Sequence, residues 1–445
     1  MSGMWAKRLS LYLLRALVLC IPVQLGIHFW PRWTLLLGRR IDYLSPTLYL
    51  TDCLVLMAIV FWAIALLVAK KSVTRMWSKK TIISGVLLFF VIVIVVINIF
   101  NAIVWQVALY RWMKGIELSF VVFFIATHAS EKKQYLRALV IGALIASLIA
   151  LVQFILQHSI GGVFWLVGER LFTIDTPLIA RGHICTPFTE SCRLLLRPYA
   201  TFAHPNILGG YLLVVLFLFA SVKKQIIGSV HNKCLRIMTT SVMIFVGLMT
   251  MLTMSRTVII IGAIVFLWRY FFGVEHTKSR FMKMCVGIVL GALMVSTLFV
   301  LPFGIHDESI LVREKLNVFA GTVIAEHWAF GVGLGNFVLT LAKDRNVLSY
   351  TGVQPVHNVY LLAVAELGFV GFLGLMTVFM VYWTMMRNKT KRVHADAAVY
   401  GMSLMILGVL GFFDHYMWSL QQGQLLTAVL IGLFVSAYVD QAQRV

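Results

Sequence analysis

The sequence predicts an all-α polytopic membrane protein with about twelve transmembrane helices, and three observations support this fold class. First, 60% of its 445 residues are hydrophobic and only 12% are charged, whereas soluble domains carry roughly 25% charged residues. Second, the mean hydropathy is +0.91. Third, apolar runs of about 20 residues recur, and such a run spans a bilayer core as a helix. The runs are continuous rather than alternating, which favours helices over a barrel.

Each predicted span is an uninterrupted apolar segment, and together they form one transmembrane domain over residues 1–445. The first segment lacks a small-residue cleavage site and precedes further spans, so we expect a retained helix rather than a signal peptide. The predicted spans are 9–28, 51–69, 81–100, 104–127, 137–157, 206–221, 238–254, 257–273, 284–302, 357–385, 397–413 and 423–439.

Lysine and arginine set the predicted orientation, because cytoplasmic connections carry an excess of both. An even number of spans places both termini on one side, and the short connections there are dense in cations. We therefore expect cytoplasmic termini. Most of the formal net charge of +21 is then explained by topology and by contact with anionic membrane lipids, not by a nucleic-acid partner. The cationic connections are 70–80, 131–137, 223–236, 278–283 and 387–394.

Two long segments fall on the outer side, an outer loop at 158–205 and a large loop at 303–356. Loops on a rigid scaffold commonly carry function. In the larger one, the apolar spacing of residues 309–328 predicts one or two amphipathic helices against the outer membrane surface. The glycines of "GVGLGNF" (331–337) predict a tight turn toward the following helix; no βαβ unit surrounds them, so a dinucleotide-binding loop has little support.

The cysteines indicate no metal centre, since the chain has no C-x-x-C, H-E-x-x-H or D-x-D spacing. Cys185 and Cys192 lie seven positions apart in the outer loop, where oxidation is possible. Spacing alone leaves a local disulfide and two free thiols both open.

Three arginines are predicted on the outer side, and each has an ordinary explanation as well. Arg256 lies between two apolar runs that leave almost no loop, where the alternative is a snorkelling cation. Arg313 opens the amphipathic stretch and Arg197 precedes a helix start, where the alternative is a solvated charge. Guanidinium groups keep their charge and present a fork of donors that fits phosphate oxygens. Together at a lipid interface, they predict a site for a phosphate or pyrophosphate carried on a lipid.

His357 and Asn358 are the first polar residues of a long apolar span. One interpretation is structural, with the ring bonding the backbone at the helix start and Asn358 assisting. The other is chemical: a neutral imidazole can take a proton from a hydroxyl, and nearby arginines disfavour its protonated form. Glu366, deeper in the span, is expected to bond a neighbouring helix. Asp414 and His415, at an outer helix end, are candidates for lining the same cavity.

Four stretches in the middle of the chain are informative through their order and spacing. They read "RPYATFAHPNILGGYL" (197–212), "MSRTVIII" (254–261), "REKL" (313–316) with "EHWAFGVGLGNF" (326–337), and "PVHNVYLLAVAELGFVGF" (355–372). In this order, and in twelve spans with a large loop before the histidine helix, the chain resembles the O-antigen ligase / O-antigen polymerase superfamily of membrane glycosyltransferases. The resemblance implies a GT-C-like helical fold in the bacterial inner membrane, with a periplasmic active site.

The resemblance also implies the reaction: an inverting transfer of a glycan from undecaprenyl pyrophosphate to a sugar hydroxyl of an acceptor such as lipid A–core. Neither a metal nor another cofactor is expected. His357 is the expected base, and Arg256 and Arg313 are expected to hold the pyrophosphate. Arg197 matches a less sharply defined basic position, so its contact with pyrophosphate is the weaker expectation. Supporting roles are expected for Asn358 and His204.

Two other functions stay open at this point. A polymerase of the same superfamily would use the same donor with a second lipid-linked glycan as acceptor, and the residues above do not separate it from a ligase. A transporter of lipid-linked sugars belongs to a different class. It would be indicated by an inverted repeat, by charges deep in several spans and by unwound mid-membrane helices, none of which the sequence clearly shows.

Overall fold

The computed structural model describes residues 2–68, 79–185, 192–227, 233–272, 308–387 and 395–442. These residues are mostly helical, and four of their helices are long and apolar enough to cross a membrane. The chain is therefore a mainly helical membrane protein. The total of twelve spans stays a prediction, and the span expected at 284–302 lies outside the described residues. The four candidate spans are Leu50–Val68, Lys132–Leu156, Pro205–Val222 and Val359–Val381.

The helices are numbered in chain order over the described residues. They are α1 (Ser2–Leu19), α2 (Leu50–Val68), α3 (Lys79–Phe100), α4 (Trp105–Thr127), α5 (Lys132–Leu156), α6 (Pro205–Ile227), α7 (Lys233–Leu252), α8 (Arg256–Phe272), α9 (Glu308–Glu326), α10 (Phe337–Leu341), α11 (Arg345–Thr351), α12 (Val359–Arg387), α13 (Ala395–Leu410), α14 (Tyr416–Ser419) and α15 (Gln421–Ala442).

The described residues also form three short antiparallel pairs of strands: β1 (Gly26–His28) with β4 (Thr47–Tyr49), β2 (Leu35–Leu36) with β3 (Arg39–Arg40), and β5 (Arg181–Cys185) with β6 (Cys192–Leu196). The first of these corrects the predicted span 9–28. Helix α1 ends at Leu19, three residues before Pro22, which cannot continue a helical hydrogen-bond ladder.

The main core is one apolar cluster between long helices, with buried residues from α1, α2, α4, α5, α6, α7, α8, α13 and α15. Charges inside it are paired. Lys114 of α4 reaches Asp52 of α2 at 2.5 Å, and Gln421 at the start of α15 donates to the same carboxylate at 2.6 Å. A buried charge is tolerated only with such partners, so this cluster ties three helices together.

Helix α9 forms a second core with α12 rather than standing alone. Its buried face carries Leu316, Ala320 and Val323, which share a cluster with Leu362 and Ala365 of α12. The three α9 residues recur at helical spacing, as expected for a helix in this segment, whereas its placement against the outer membrane surface stays a prediction. The contact fixes α9, and with it Arg313 one turn earlier, beside the helix that follows His357.

Helix α12 is broken at Gly368, whose backbone has φ 68° and ψ 173°. The glycine-rich loop and the residues just before it supply the hydrogen-bond partners that the interrupted helix lacks. Val332 and Gly333 donate to the carbonyls of Ala365 and Glu366, each at 3.0 Å. On the other side of the break, Phe369 and Val370 donate to the loop carbonyls of Trp328 and Ala329 at 2.7 and 3.0 Å. The predicted turn at 331–337 is thus a backbone clamp that fixes α12.

Glu366 strengthens the same clamp. Its side chain is 4% exposed and accepts a bond from the Trp418 indole at 2.8 Å, which is the bond to a neighbouring helix expected from the sequence. Its backbone carbonyl also accepts from Asn98 of α3 at 2.9 Å. Three separate parts of the chain therefore hold the middle of α12, and the clamp sets where its first turn and His357 lie.

Candidate active site

The predicted site residues lie at helix ends that the fold brings together. Arg197 and His204 precede α6, Arg256 is the first residue of α8, and His357 stands two residues before α12. Arg313 projects from α9. Helices α7 and α8 are separated by only three residues, the tight pair expected from the sequence. Helix N-termini carry partial positive charge, so three of them and three arginines favour a bound anion.

Arg197 links the arginines. Its Nε donates to the Thr253 carbonyl at 2.8 Å and its Nη2 to the Asn206 side chain at 2.6 Å. Burial, together with the charges of Arg256 and Arg313, lowers the pKa of Arg197 to about 10 against the opposing effect of Tyr199. Arg197 stays charged at neutral pH. Arg197 is therefore close enough to Arg256 and to Arg313 to be repelled by both, and an anion bound beside it would relieve the repulsion.

His204 is held neutral within this cluster. Burial lowers its pKa to about 3, and the Arg197 charge adds to the effect. The backbone N–H of Asn206 donates to His204 Nδ1 at 3.2 Å. Since a backbone N–H can only donate, Nδ1 is the acceptor and the ring proton resides on Nε2. His204 thus offers a donor, not a base, to whatever occupies the site.

His357 is also held neutral. Burial lowers its pKa and Arg313 adds to the effect, while Asp414 opposes both. Asn358 is occupied elsewhere: its side-chain oxygen accepts from the N–H groups of Tyr360 and Leu361 at 3.0 and 3.2 Å. This caps α12 and presents His357 just outside the first turn. The structural interpretation therefore fits Asn358, whereas the ring of His357 remains available for chemistry.

Asp414 and His415 complete the cluster from the segment after α13. Burial would raise the pKa of Asp414, but the imidazoles of His415, His357 and His204 outweigh it and hold that pKa below its usual value. The backbone N–H of His415 donates to the carboxylate at 2.8 Å. Burial lowers the pKa of His415 to about 4 despite Asp414. Asp414 is thus a carboxylate among neutral imidazoles at neutral pH.

The outer loop holds Arg197 through a buried polar pair that sequence reasoning missed. Gln153 of α5 accepts from the N–H groups of Tyr199 and Ala200 at 3.0 and 2.7 Å and donates to Glu169 at 2.7 Å. Glu169, 2% exposed, also accepts two backbone N–H groups of the loop. Polar residues at the end of an apolar span were the available signal. Hydrogen bonds from the Gln153 and Glu169 side chains therefore fix the parts of the outer loop that lie outside helices and strands.

The hairpin β5–β6 lies over the turn that carries Arg256. A Cβ at Gly182 would stand 2.2 Å from the Met254 sulfur, so a larger residue here would require the Met254 side chain to move. The strand register places Cys185 directly opposite Cys192. Their side chains lie outside the described atoms, so the choice between a disulfide and two free thiols stays as the sequence left it.

Arg111 of α4 was also missed, although an arginine within an apolar span is itself a signal. It lines a cavity of about 40 Å³ together with Tyr43, Glu366, Trp418 and Ser419. That volume suits about three water molecules rather than a sugar. Two of its lining residues, Tyr43 and Ser419, also contact His415.

Comparison with known proteins gives no match, either to a model of a protein family or to a characterised protein. Within the part of the chain that the structure describes, no group of three or more His, Cys, Asp or Glu side chains is placed to hold a metal ion.

Proposed function

We propose that the protein is an inverting membrane glycosyltransferase that moves a glycan from a lipid-linked pyrophosphate to a sugar hydroxyl, with lipid A–core as the acceptor class. The observation that carries the proposal is the convergence of Arg197, Arg256 and Arg313 with a neutral His357. It agrees with the resemblance of these stretches to the O-antigen ligases. The polymerase of the same superfamily differs only in its acceptor, so the experiment below includes both acceptors.

The cluster supports a single displacement. The acceptor O–H gives its proton to His357 while its oxygen forms a bond to the anomeric carbon. The bond from that carbon to the pyrophosphate oxygen breaks, and the lipid pyrophosphate leaves with the electron pair. Arg256 and Arg313 stabilise the charge that develops on it, because preorganised cations act most strongly where charge increases in the transition state. Attack opposite the leaving group inverts the anomeric carbon.

Arg197 and His204 support binding of the same anion. Arg197 uses donors on two nitrogens for the protein, which leaves the rest of its fork for phosphate oxygens. His204 carries its proton on the nitrogen that the backbone does not use, so it can donate one further bond. Asp414 balances part of the positive charge without meeting the leaving group.

The test uses purified protein in liposomes with a labelled undecaprenyl-pyrophosphate glycan and either lipid A–core or a second lipid-linked glycan as acceptor. We expect transfer by the wild type and none by His357→Ala. Arg256→Ala and Arg313→Ala should lower kcat/KM for donor about 10- to 100-fold, the cost of one charge-assisted bond to the leaving group. Arg345→Ala, an exposed arginine of the same large loop, is the control. A wild-type rate in His357→Ala would reject the base assignment, and transfer to neither acceptor would reject the function.

A transporter of lipid-linked sugars is the second candidate function, because the structure contains two features that are typical of transporters: an interrupted helix and buried charges within helices. Helix α12 is broken at Gly368, and α2 and α4 carry the buried Asp52 and Lys114. The same liposomes distinguish it: a transporter moves labelled donor between leaflets without forming a new glycosidic bond.

A further inference from the structure

His357 has one nitrogen that the proposed reaction does not use. Among the described residues, its Nδ1 is buried and has no hydrogen-bond partner. A neutral imidazole carries its proton on one nitrogen only, and the other is the base. An unpaired buried nitrogen leaves this choice unfixed and costs free energy. A hydrogen-bond partner for Nδ1 would therefore set the fraction of protein molecules in which His357 carries its proton on Nδ1 and leaves Nε2 free to act as the base.

The nearest ring to His357 is His415. Their centroids are 5.2 Å apart and the planes are inclined by 71°. His415 is itself held by Ser419, four residues later, whose hydroxyl lies 2.5 Å from His415 Nδ1. The same hydroxyl lies 3.1 Å from the His415 carbonyl oxygen, which can only accept. If the hydroxyl hydrogen goes to that carbonyl, Ser419 accepts the Nδ1 proton of His415, and His415 Nε2 keeps a free lone pair.

Arg111 fixes the surroundings of His415 from α4. Its Nη1 donates to the Ser419 carbonyl at 3.1 Å and its Nη2 to the Tyr43 carbonyl at 2.7 Å. The Tyr43 ring contacts His415 with a centroid distance of 5.8 Å. One half-buried guanidinium thus bonds the backbone on both sides of His415.

We propose that His415 is a positioning residue that sets the tautomer of His357, an inference that rests on the proposed role of His357 as the base. Ser419 keeps the His415 proton on Nδ1, and His415 Nε2 accepts the Nδ1 proton of His357 after a small rotation of the two rings. His357 Nε2 then stays unprotonated toward the acceptor hydroxyl. Protonated His357 is stabilised by the same bond after the transfer.

The pH profile of transfer reports this arrangement. The charged and titratable groups that face the two rings are Tyr43, Arg111, His204, Arg313 and Asp414. Near neutral pH, Tyr43 and His204 are uncharged, because burial raises the pKa of Tyr43 to about 12 and lowers that of His204 to about 3. Asp414 is ionised there, because the neighbouring imidazoles hold its pKa below its usual value. Burial lowers the pKa of His357 from its ordinary value and that of His415 to about 4, so the acid limb lies below the ordinary histidine range and reports protonation of the base, His357.

The kinetic test compares His415→Leu, His415→Gln and Ser419→Ala, with Ser349→Ala in α11 as the control. His415→Leu should lower kcat about tenfold, the value of one hydrogen bond, without raising the KM for donor. His415→Gln restores an acceptor and should recover most of kcat. Ser419→Ala should lower kcat several-fold and shift the acid limb. Equal kcat in wild type and His415→Leu would overturn the proposal, as would a loss confined to KM.

A second measurement needs no substrate. Solid-state NMR of ¹⁵N-histidine protein in liposomes distinguishes Nδ1–H from Nε2–H rings, and subtraction of a His357→Asn spectrum identifies His357 among the 12 histidines. We expect Nδ1–H in the wild type and a shift toward Nε2–H in His415→Leu, with unchanged melting as the check on folding. An identical His357 tautomer in wild type, His415→Leu and His415→Gln would refute the proposal even if transfer activity were observed. The expected shift would support it even if no transfer occurred.

Discussion

Replacing Gly368 by alanine tests the clamp that fixes α12 below His357. The backbone at Gly368, with φ 68° and ψ 173°, is in a region that essentially only glycine adopts. A Cβ there would stand 2.3 Å from the Ala329 carbonyl oxygen and 2.4 Å from the Phe330 nitrogen. Both are backbone atoms, so no side-chain rotation relieves the clash and the two backbones must separate.

The expected magnitude has two parts. Backbone strain costs about 1–3 kcal/mol. Separation of the backbones loses up to four hydrogen bonds across the break, at a net cost of about 1 kcal/mol each. The chain supplies a control for each part. Gly352 has φ 65° and ψ −176°, and nothing lies within 4 Å of its added Cβ, so Gly352→Ala should show strain alone. Gly321 lies inside α9 with open space, and Gly321→Ala should be neutral or slightly stabilising.

The assay is thermal unfolding of the three variants in one detergent, together with donor transfer. We expect the melting temperature to fall in the order Gly321→Ala, wild type, Gly352→Ala, Gly368→Ala. Only Gly368→Ala should also reduce transfer, because it alone releases the helix that presents His357. Hydrogen exchange should become faster at the amides of Val332 and Gly333. Equal melting temperatures for Gly352→Ala and Gly368→Ala would refute the clamp.

Three further predictions concern the outer loop and its charges. Burial keeps His204 neutral in the folded protein by lowering its pKa to about 3. Between about pH 3 and 6.5 the unfolded chain therefore binds more protons than the folded protein, so the free energy of unfolding is largest above pH 6.5 and falls as the pH drops. His204→Asn should flatten this dependence of the melting temperature on pH. Gln153→Leu should destabilise by about 3 kcal/mol, since it leaves the N–H groups of Tyr199 and Ala200 unpaired in the core and removes one of the donors to Glu169, and unfolding in denaturant measures the loss. Non-reducing peptide mass spectrometry of protein from an oxidising compartment should find Cys185 joined to Cys192, and alkylation of both thiols without reduction would disprove the disulfide.

Local features of the sequence predicted well wherever neighbours along the chain determine the structure. The tight turn before Arg256 follows from two apolar runs that almost touch. The helix start after Asn358 follows from a capping residue before an apolar run, and the buried face of α9 follows from helical spacing. A helical pattern with a period of 3.6 involves only residues three or four positions apart, so it can be recognised in the sequence without knowledge of the tertiary structure.

The break in α12 could not be predicted from such local patterns. Gly368 lies within an apolar run with no proline, and its conformation is stabilised by hydrogen bonds from a loop 35 to 40 residues earlier. Arg111 was overlooked for a similar reason. Its partners are the carbonyls of Tyr43 and Ser419, 68 and 308 positions away. Hydrogen bonds between distant segments leave no periodic trace in the sequence.

Composition and periodicity alone determined that the chain is helical and membrane-embedded, because each apolar run must satisfy its own backbone in lipid. The candidate residues were also visible one at a time, as polar side chains at the ends of apolar runs. Only the tertiary structure decided that Arg197, Arg256, Arg313 and His357 form one cluster, and that His357 is neutral there. Burial and the repulsion between charges depend on distances that only the packing of the helices sets.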